Sequence, residues 1–253
     1  MSASFVLSVA VAAVVGGVAA YLGSLMITRR MALVGDALGH VAFPGMGVAL
    51  LIGVDPSFGA FAFLLLGILA VWKLSEASAL STETVVGIIF VTSLALGFLI
   101  VPQPELLESL LGDISKITRE GAVFSILICA IVALGVQRIY SGMMLLNISE
   151  DIAEVEGVSA AKYNFVYLLS IALIVSVGIK VTGSLLVGAL VIVPPAAARM
   201  ISSNLKQYAR NSASIGVLSS VTGTLVSRVV HLSAGPSIIL ASSVFFLLAF
   251  VWQ

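Results

Sequence analysis

The stretch RRMALVGDALGHVAFPGMG, residues 29–47, places an acid and a histidine four residues apart inside a run that is otherwise typical of a membrane-spanning helix. Four residues are about one helical turn, so the side chains of Asp36 and His40 lie on one face. An ionisable side chain in lipid costs roughly 2.5–3.5 kcal/mol on insertion scales. Two such groups on one face therefore predict a protein interior or a water-filled path around them.

The composition indicates which class of protein surrounds this stretch. Of 253 residues, 60% are hydrophobic and 9% are charged, with a mean hydropathy of +1.20, whereas a soluble domain has about 25% charged residues. Apolar runs approaching ~20 residues recur along the chain, as spanning helices require. We therefore expect an all-α integral membrane protein, a polytopic helix bundle with short interfacial helices and one transmembrane domain over residues 1–253. The zero net charge suggests no nucleic-acid partner. The first apolar run lacks the basic segment of a cleaved signal, so we expect it to be retained.

The apolar runs predict about nine spans, at residues 4–27, 31–53, 57–72, 83–101, 121–140, 162–180, 183–201, 213–232 and 236–252. Residues 102–120 carry charges between apolar positions at helical spacing, which predicts a short amphipathic or partly re-entrant piece. A basic loop with Lys206 and Arg210 is expected between the seventh and eighth spans. Most Lys and Arg residues fall on the side that also holds residues 150–156, so that side is predicted to be cytoplasmic.

Asp36 and His40 allow three interpretations. A carboxylate and an imidazole suit Mn²⁺, Zn²⁺ or Fe²⁺, and an incomplete ligand shell lets a transported ion leave. In the second interpretation, Asp36 pairs with Arg29 or Arg30 and His40 hydrogen-bonds a neighbouring helix. The third is a proton relay. The spacing alone does not choose among them.

The segment SEDIAEVEGVSAA, residues 149–161, predicts a short amphipathic helix that Gly157 stops or bends. Its apolar residues Ile152, Val155 and Val158 recur every three positions, with acids between them. Such a helix suits docking of a soluble partner. The alternative is a helix lying on the bilayer, which the acids disfavour because membrane-surface helices are usually basic.

Three further features of the sequence bear on its function. Pro194 and Pro195 remove hydrogen-bond donors inside the seventh span, which predicts either a break that lines a pathway or a kink packed by small residues. His231 is expected to be an interfacial histidine rather than a ligand. The sequence has no GxxxxGK[ST] loop and no HExxH. The driving energy therefore comes from an ion gradient or from a partner.

Several of these segments together resemble one family. RRMALVGDALGHVAFPG is similar to the signature of the permease subunits of manganese, zinc and iron ABC transporters. The other similar segments are ETVVGIIFVTSLALGF at 83–98, LLGDI at 110–114, EDIAEVEGV at 150–158, GSLLVGALVIVPPAAA at 183–198 and AGPSIIL at 234–240. The resemblance extends over essentially the whole chain.

The resemblance implies an import permease of the inner (plasma) membrane that works as a pair of identical copies. It implies a cytoplasmic subunit that binds and hydrolyses ATP, an external metal-binding protein that delivers the ion, and no permanently bound cofactor. Asp36 and His40 would line the path and contact the metal. The ATPase-coupling segment would fall on Glu150, Asp151, Ala153, Glu154 and Gly157. The rival is a proton-coupled secondary transporter; a membrane enzyme lacks further ligand candidates near Asp36.

Overall fold

The computed structural model describes residues 3–32, 34–101, 117–182 and 184–252, and every regular element in these ranges is a helix. We number the helices in chain order: α1 Ala3–Thr28, α2 Val34–Val41, α3 Phe43–Leu51, α4 Pro56–Ala77, α5 Thr82–Ile100, α6 Arg119–Ile148, α7 Glu150–Val155, α8 Ala160–Thr182, α9 Ser184–Met200, α10 Leu205–Val230 and α11 Ala234–Trp252.

The predicted all-α membrane bundle is confirmed. Eight helical segments within the described ranges are long and apolar enough to cross a membrane. The predicted seventh span, 183–201, corresponds to α9, whose apolar part Leu186–Met200 is shorter than the others. The amphipathic piece expected at 102–120 lies outside the described residues, except for its last four positions. That the chain forms a single domain stays a prediction.

The second span consists of two half-helices, because α2 ends at Val41 and α3 begins at Phe43. Pro44 lies in the first turn of α3, where proline is favourable because its missing N–H would be unpaired there anyway. The interruption therefore falls just before the predicted Pro44–Gly45 position. Its physical cause is Pro44 itself, which has no N–H to donate to the carbonyl of His40 four residues earlier.

The expected basic loop around Lys206 and Arg210 is wrong, since both residues lie in α10. The side chain of Asn204 caps this helix by accepting a hydrogen bond from the Gln207 N–H at 2.9 Å. With 26 residues, α10 is about 39 Å long, longer than the ~30 Å hydrocarbon core. Its polar first turns extend beyond the apolar run, which is why hydropathy placed the helix start too late.

Helix α2 lies inside the bundle, in contact with α4, α5, α8 and α9. Helix α1 packs closely along α10 through small residues; a β-carbon on Gly16 would lie 2.8 Å from the Gly216 carbonyl oxygen. Helix α1 also contacts α6, α8 and α9, and α11 covers α9 and α10. This packing places Asp36 and His40, both half-buried, on a helix that four other helices contact.

Candidate functional site

Asp36 lies in the first turn of α2 and is half-buried. Its carboxylate packs against the backbone of α9 at Gly188: a β-carbon on Gly188 would overlap Asp36 Oδ1 and would lie 3.0 Å from Asp36 Cγ. The neighbouring Gly35 is less crowded, because a β-carbon there would lie 3.4 Å from Val191 Cγ1, an ordinary van der Waals contact. The glycine at position 188 therefore lets the acid lie against α9.

His40 lies one turn further along α2, between two aromatic rings. Its ring centroid is 5.0 Å from that of Phe43 on α3 and 5.4 Å from that of Phe90 on α5. Its Nδ1 is buried and has no hydrogen-bond partner within the described ranges. The aromatic packing orients the imidazole, and Nδ1 keeps its capacity to bind a ligand.

The expected pairing of Asp36 with an arginine is absent from the described part of the chain. Arg29 Nη1 donates to Asn164 Oδ1 on α8 and lies 3.6 Å from Met143 Sδ on α6. Its guanidinium also lies 5.8 Å from the centroid of the Tyr167 ring. Arg29 therefore joins α1 to α6 and α8, and the Asp36 carboxylate keeps no cation of its own there.

Asp36 and His40 are the two side chains of this site that carry ligand atoms typical of metal sites, and their contact with a metal stays a prediction. Among the described residues, no group of three or more His, Cys, Asp and Glu side chains could hold a metal. Backbone groups add acceptor character, because the C-terminal end of α2 carries the negative end of its helix dipole. The His40 carbonyl also lacks its usual helical donor, because Pro44 has no N–H. Freed carbonyls at the ends of half-helices are the groups that coordinate ions in broken transporter helices.

The predicted helix at residues 149–161 is confirmed as α7. The Ser149 hydroxyl caps it by accepting from the Ile152 N–H at 3.3 Å, and Gly157 ends it with a left-handed φ of +77°. Ala153 is fully buried, whereas Ile152 is 52% and Val155 88% exposed. The acids Glu150, Asp151, Glu154 and Glu156 are all exposed. An apolar pair surrounded by acids therefore faces away from the bundle.

Pro194 and Pro195 are buried within α9, which runs through both of them from Ser184 to Met200. The predicted helix break is therefore corrected: the prolines do not end the helix. The Val191 carbonyl lacks its helical hydrogen bond, because Pro195 has no N–H to donate. This carbonyl faces Gly23 on α1, where a β-carbon would overlap the oxygen. This glycine lets α1 pack against the freed carbonyl and favours the interpretation of a packed helix contact. That Pro194 and Pro195 line a path stays a prediction.

His231 is exposed and terminates α10 in a left-handed conformation; that it lies at the membrane interface stays a prediction. Sequence reasoning missed the contacts of Gly188, Phe43 and Phe90 with the α2 pair. Glycine and phenylalanine carry no distinguishing signal in a chain with 23 Gly and 12 Phe residues.

The family model described as the ABC 3 transport family matches residues 2–253. The chain is 32% identical over 235 residues to the high-affinity zinc uptake system membrane protein ZnuB of Buchnera aphidicola subsp. Baizongia pistaciae, covering 90% of each chain. It is 27% identical over 240 residues to the manganese import system permease protein ScaB of Streptococcus parasanguinis, covering 93% of this chain and 86% of that protein.

Among solved structures, PsaBC from Streptococcus pneumoniae in complex with Fab contains a chain that superposes with a TM-score of 0.85 at 26% identity. The match covers 99% of this chain and 92% of that one. The family match, the relatives and the multi-span helical bundle agree with the resemblance found in the sequence and with a location in the inner membrane. The chain belongs to the ABC 3 transport family.

Proposed function

We propose that this chain forms the translocation path of an ATP-driven importer of divalent transition metal ions. Its relatives are named for manganese import and for zinc uptake. Asp36 and His40 supply one oxygen and one nitrogen ligand, which suit Mn²⁺, Zn²⁺ and Fe²⁺ alike. The observation that carries the proposal is the placement of both side chains on the buried α2, with no competing cation on Asp36 in the described part of the chain.

The ion stops at Asp36 and His40 and then leaves. Two protein side chains leave most of the coordination shell to water and backbone oxygens, so binding stays weak enough for release. Desolvating an ion inside the bundle is costly, and the carboxylate offsets part of that cost by Coulomb attraction. The interruption after Val41 adds oxygen acceptors at the same depth of the bundle.

The ATPase subunit docks on α7. Its exposed Ile152 and Val155 would enter an apolar groove of the partner, while Glu150, Asp151 and Glu154 would contact basic groups around it. Ala153 anchors α7 to the bundle, since it is fully buried and α7 contacts α6 and α8. Closure of the ATPase would therefore move α6 and α8 through a fixed attachment.

Three further partners belong to the proposal. A second copy of the chain completes the path, an extracytoplasmic metal-binding protein delivers the ion, and membrane lipid surrounds the exposed apolar faces. The competing function is a secondary transporter in which Asp36 and His40 couple protons to the ion. The observation that favours the secondary transporter is that the carboxylate and the imidazole lie only one helical turn apart on α2.

The experiment compares the cellular content of Mn, Fe and Zn in a deletion strain complemented with wild type, Asp36→Asn or Asp55→Asn. Asp55 caps α4 by accepting from the Ser57 N–H at 2.8 Å, and asparagine keeps this cap, so this variant controls for the loss of a carboxylate outside α2. We expect one metal to fall on deletion and to recover with wild type and Asp55→Asn only.

Equal recovery with Asp36→Asn would refute the role of the carboxylate. Energy coupling is tested separately in proteoliposomes that contain the chain and its ATPase subunit. Uptake that needs ATP and survives a protonophore supports the importer. Uptake that continues without ATP and stops when the proton gradient is discharged supports the secondary transporter.

A further inference from the structure

Gly188 on α9 is the residue against which the Asp36 carboxylate rests. A β-carbon at this position would overlap Asp36 Oδ1, and it would lie 2.9 Å from Asp36 Cβ and 3.0 Å from Cγ. Separations below 3.0 Å are essentially never seen for real β-carbons. Any side chain at position 188 is therefore incompatible with the present position of the carboxylate.

The absence of a side chain, and not backbone freedom, explains a glycine here. Gly188 lies inside α9 with no left-handed φ, so alanine could adopt the same backbone conformation. Glycine in a helix interior lowers stability relative to alanine. The contact that this cost makes possible is the one with Asp36.

The contact is part of a firm helix interface. Val187 and Leu190 are each 1% exposed and Val191 is fully buried, which fixes α9 in the bundle. On α2, Val34 is 1% exposed and Leu38 is fully buried, which fixes the helix that carries Asp36. The two backbones on either side of the carboxylate are therefore packed before any ion arrives.

We infer that Gly188 is a positioning residue for the metal site, because it leaves room for the Asp36 carboxylate at the position where the carboxylate faces the ion. This inference rests on the proposed function, in which Asp36 is a ligand. A side chain at 188 displaces the ligand oxygen and leaves its chemistry unchanged. Removing groups that orient metal ligands typically weakens metal affinity by about 10- to 100-fold, and we expect a loss of that size in Gly188→Ala.

The test is a double-mutant cycle on metal affinity, measured on the full chain in lipid nanodiscs titrated with Mn²⁺ and with Zn²⁺ separately. The variants are Gly188→Ala, Asp36→Asn and the pair. Gly87→Ala is the control for the substitution itself, because nothing lies within 4 Å of its added β-carbon. Gly142→Ala is the control for crowding, because its β-carbon would overlap the Tyr163 ring, away from α2.

We expect Gly188→Ala to weaken binding, both control glycine variants to bind like wild type, and the pair to bind no more weakly than Asp36→Asn alone. Two outcomes overturn the inference alone: wild-type affinity in Gly188→Ala, or independent losses that multiply in the pair. If Asp36→Asn binds as tightly as wild type, the ligand role in the proposed function fails, and the inference fails with it.

A second measurement covers the case in which Gly188→Ala folds poorly. Asp36→Ala removes Oδ1 and Cγ, two of the three atoms that the new β-carbon would crowd, and keeps Cβ. The pair Asp36→Ala and Gly188→Ala should then unfold at a higher temperature than Gly188→Ala alone. A pair that is no more stable than Gly188→Ala would show that the crowding lies elsewhere and would refute the contact with Asp36.

Discussion

Replacing Ile152 and Val155 by serine should detach the ATPase subunit without disturbing the fold of the permease. Ile152 is 52% and Val155 88% exposed, whereas Ala153, which packs α7 against the bundle, is retained. Complete burial of an exposed Val or Ile side chain is worth about 1.5–3 kcal/mol. Burying the area that these two still expose is therefore worth roughly 2–4 kcal/mol in a complex.

The lower figure already predicts a large effect, since about 1.4 kcal/mol corresponds to a tenfold change in a binding constant. We expect the ATPase subunit to bind the double variant about 30-fold more weakly than wild type. The assay is a titration of the permease in nanodiscs with the ATPase subunit, together with metal-dependent ATP hydrolysis. Thermal unfolding of the permease alone should be unchanged.

Leu80→Ser is the matched control. Leu80 is 49% exposed in the connection between α4 and α5, which is predicted to lie on the same side of the membrane as α7. The reasoning is refuted if the double variant binds the ATPase subunit like wild type, or if Leu80→Ser weakens binding to the same extent. The second result would mean that general surface hydrophobicity, and not α7, holds the partner.

Three further predictions concern the scaffold. Arg29→Met should lower the thermal stability of the permease in detergent, because a hydrogen bond from a charged donor is worth about 1.5–3 kcal/mol. Arg30 is exposed, so Arg30→Met should leave the stability unchanged, and an equal loss in both variants would contradict the prediction. Gly16→Ala should lower the stability of the permease, because the added methyl group pushes α1 away from α10. Gly87→Ala, with open space around it, should leave the stability unchanged or raise it by up to about 1 kcal/mol, and unfolding curves in detergent measure both. Ser149→Ala should remove the α7 cap at a cost of about 1 kcal/mol and raise amide hydrogen exchange over residues 150–155 about fivefold, and unchanged exchange would show that tertiary contacts alone hold the helix.

Helix existence could be read from the sequence, whereas several helix ends could not. The predicted start of the eighth span at 213 missed the capped turns from Leu205 onward. The predicted end of the fifth span at 140 missed the turns up to Ile148. Hydropathy reports where lipid can surround a helix, and a helix that continues into the aqueous phase carries no such signal.

The proline-containing segments show the same limit in the site. Pro44 and the Pro194–Pro195 pair both predict local disturbance, but the first separates two half-helices and the second lies within one continuous helix. The difference depends on what packs alongside. Gly23 on α1 lies close to the Val191 carbonyl that lacks a helical hydrogen bond. This contact joins two helices far apart in the sequence, so local sequence patterns do not predict it.

The sequence by itself determined that the chain is a helical membrane protein, and that Asp36 and His40 share one face of a helix. It also determined that a short acidic helix ends at Gly157. These features depend on composition and on neighbours within one or two helical turns. Only the tertiary structure decided that Asp36 rests on Gly188, that His40 lies between Phe43 and Phe90, and that Arg29 is engaged elsewhere. Contacts between helices distant in sequence depend on the packing of the whole bundle, and glycine and phenylalanine occur too often in an apolar chain to reveal which of them meet the site.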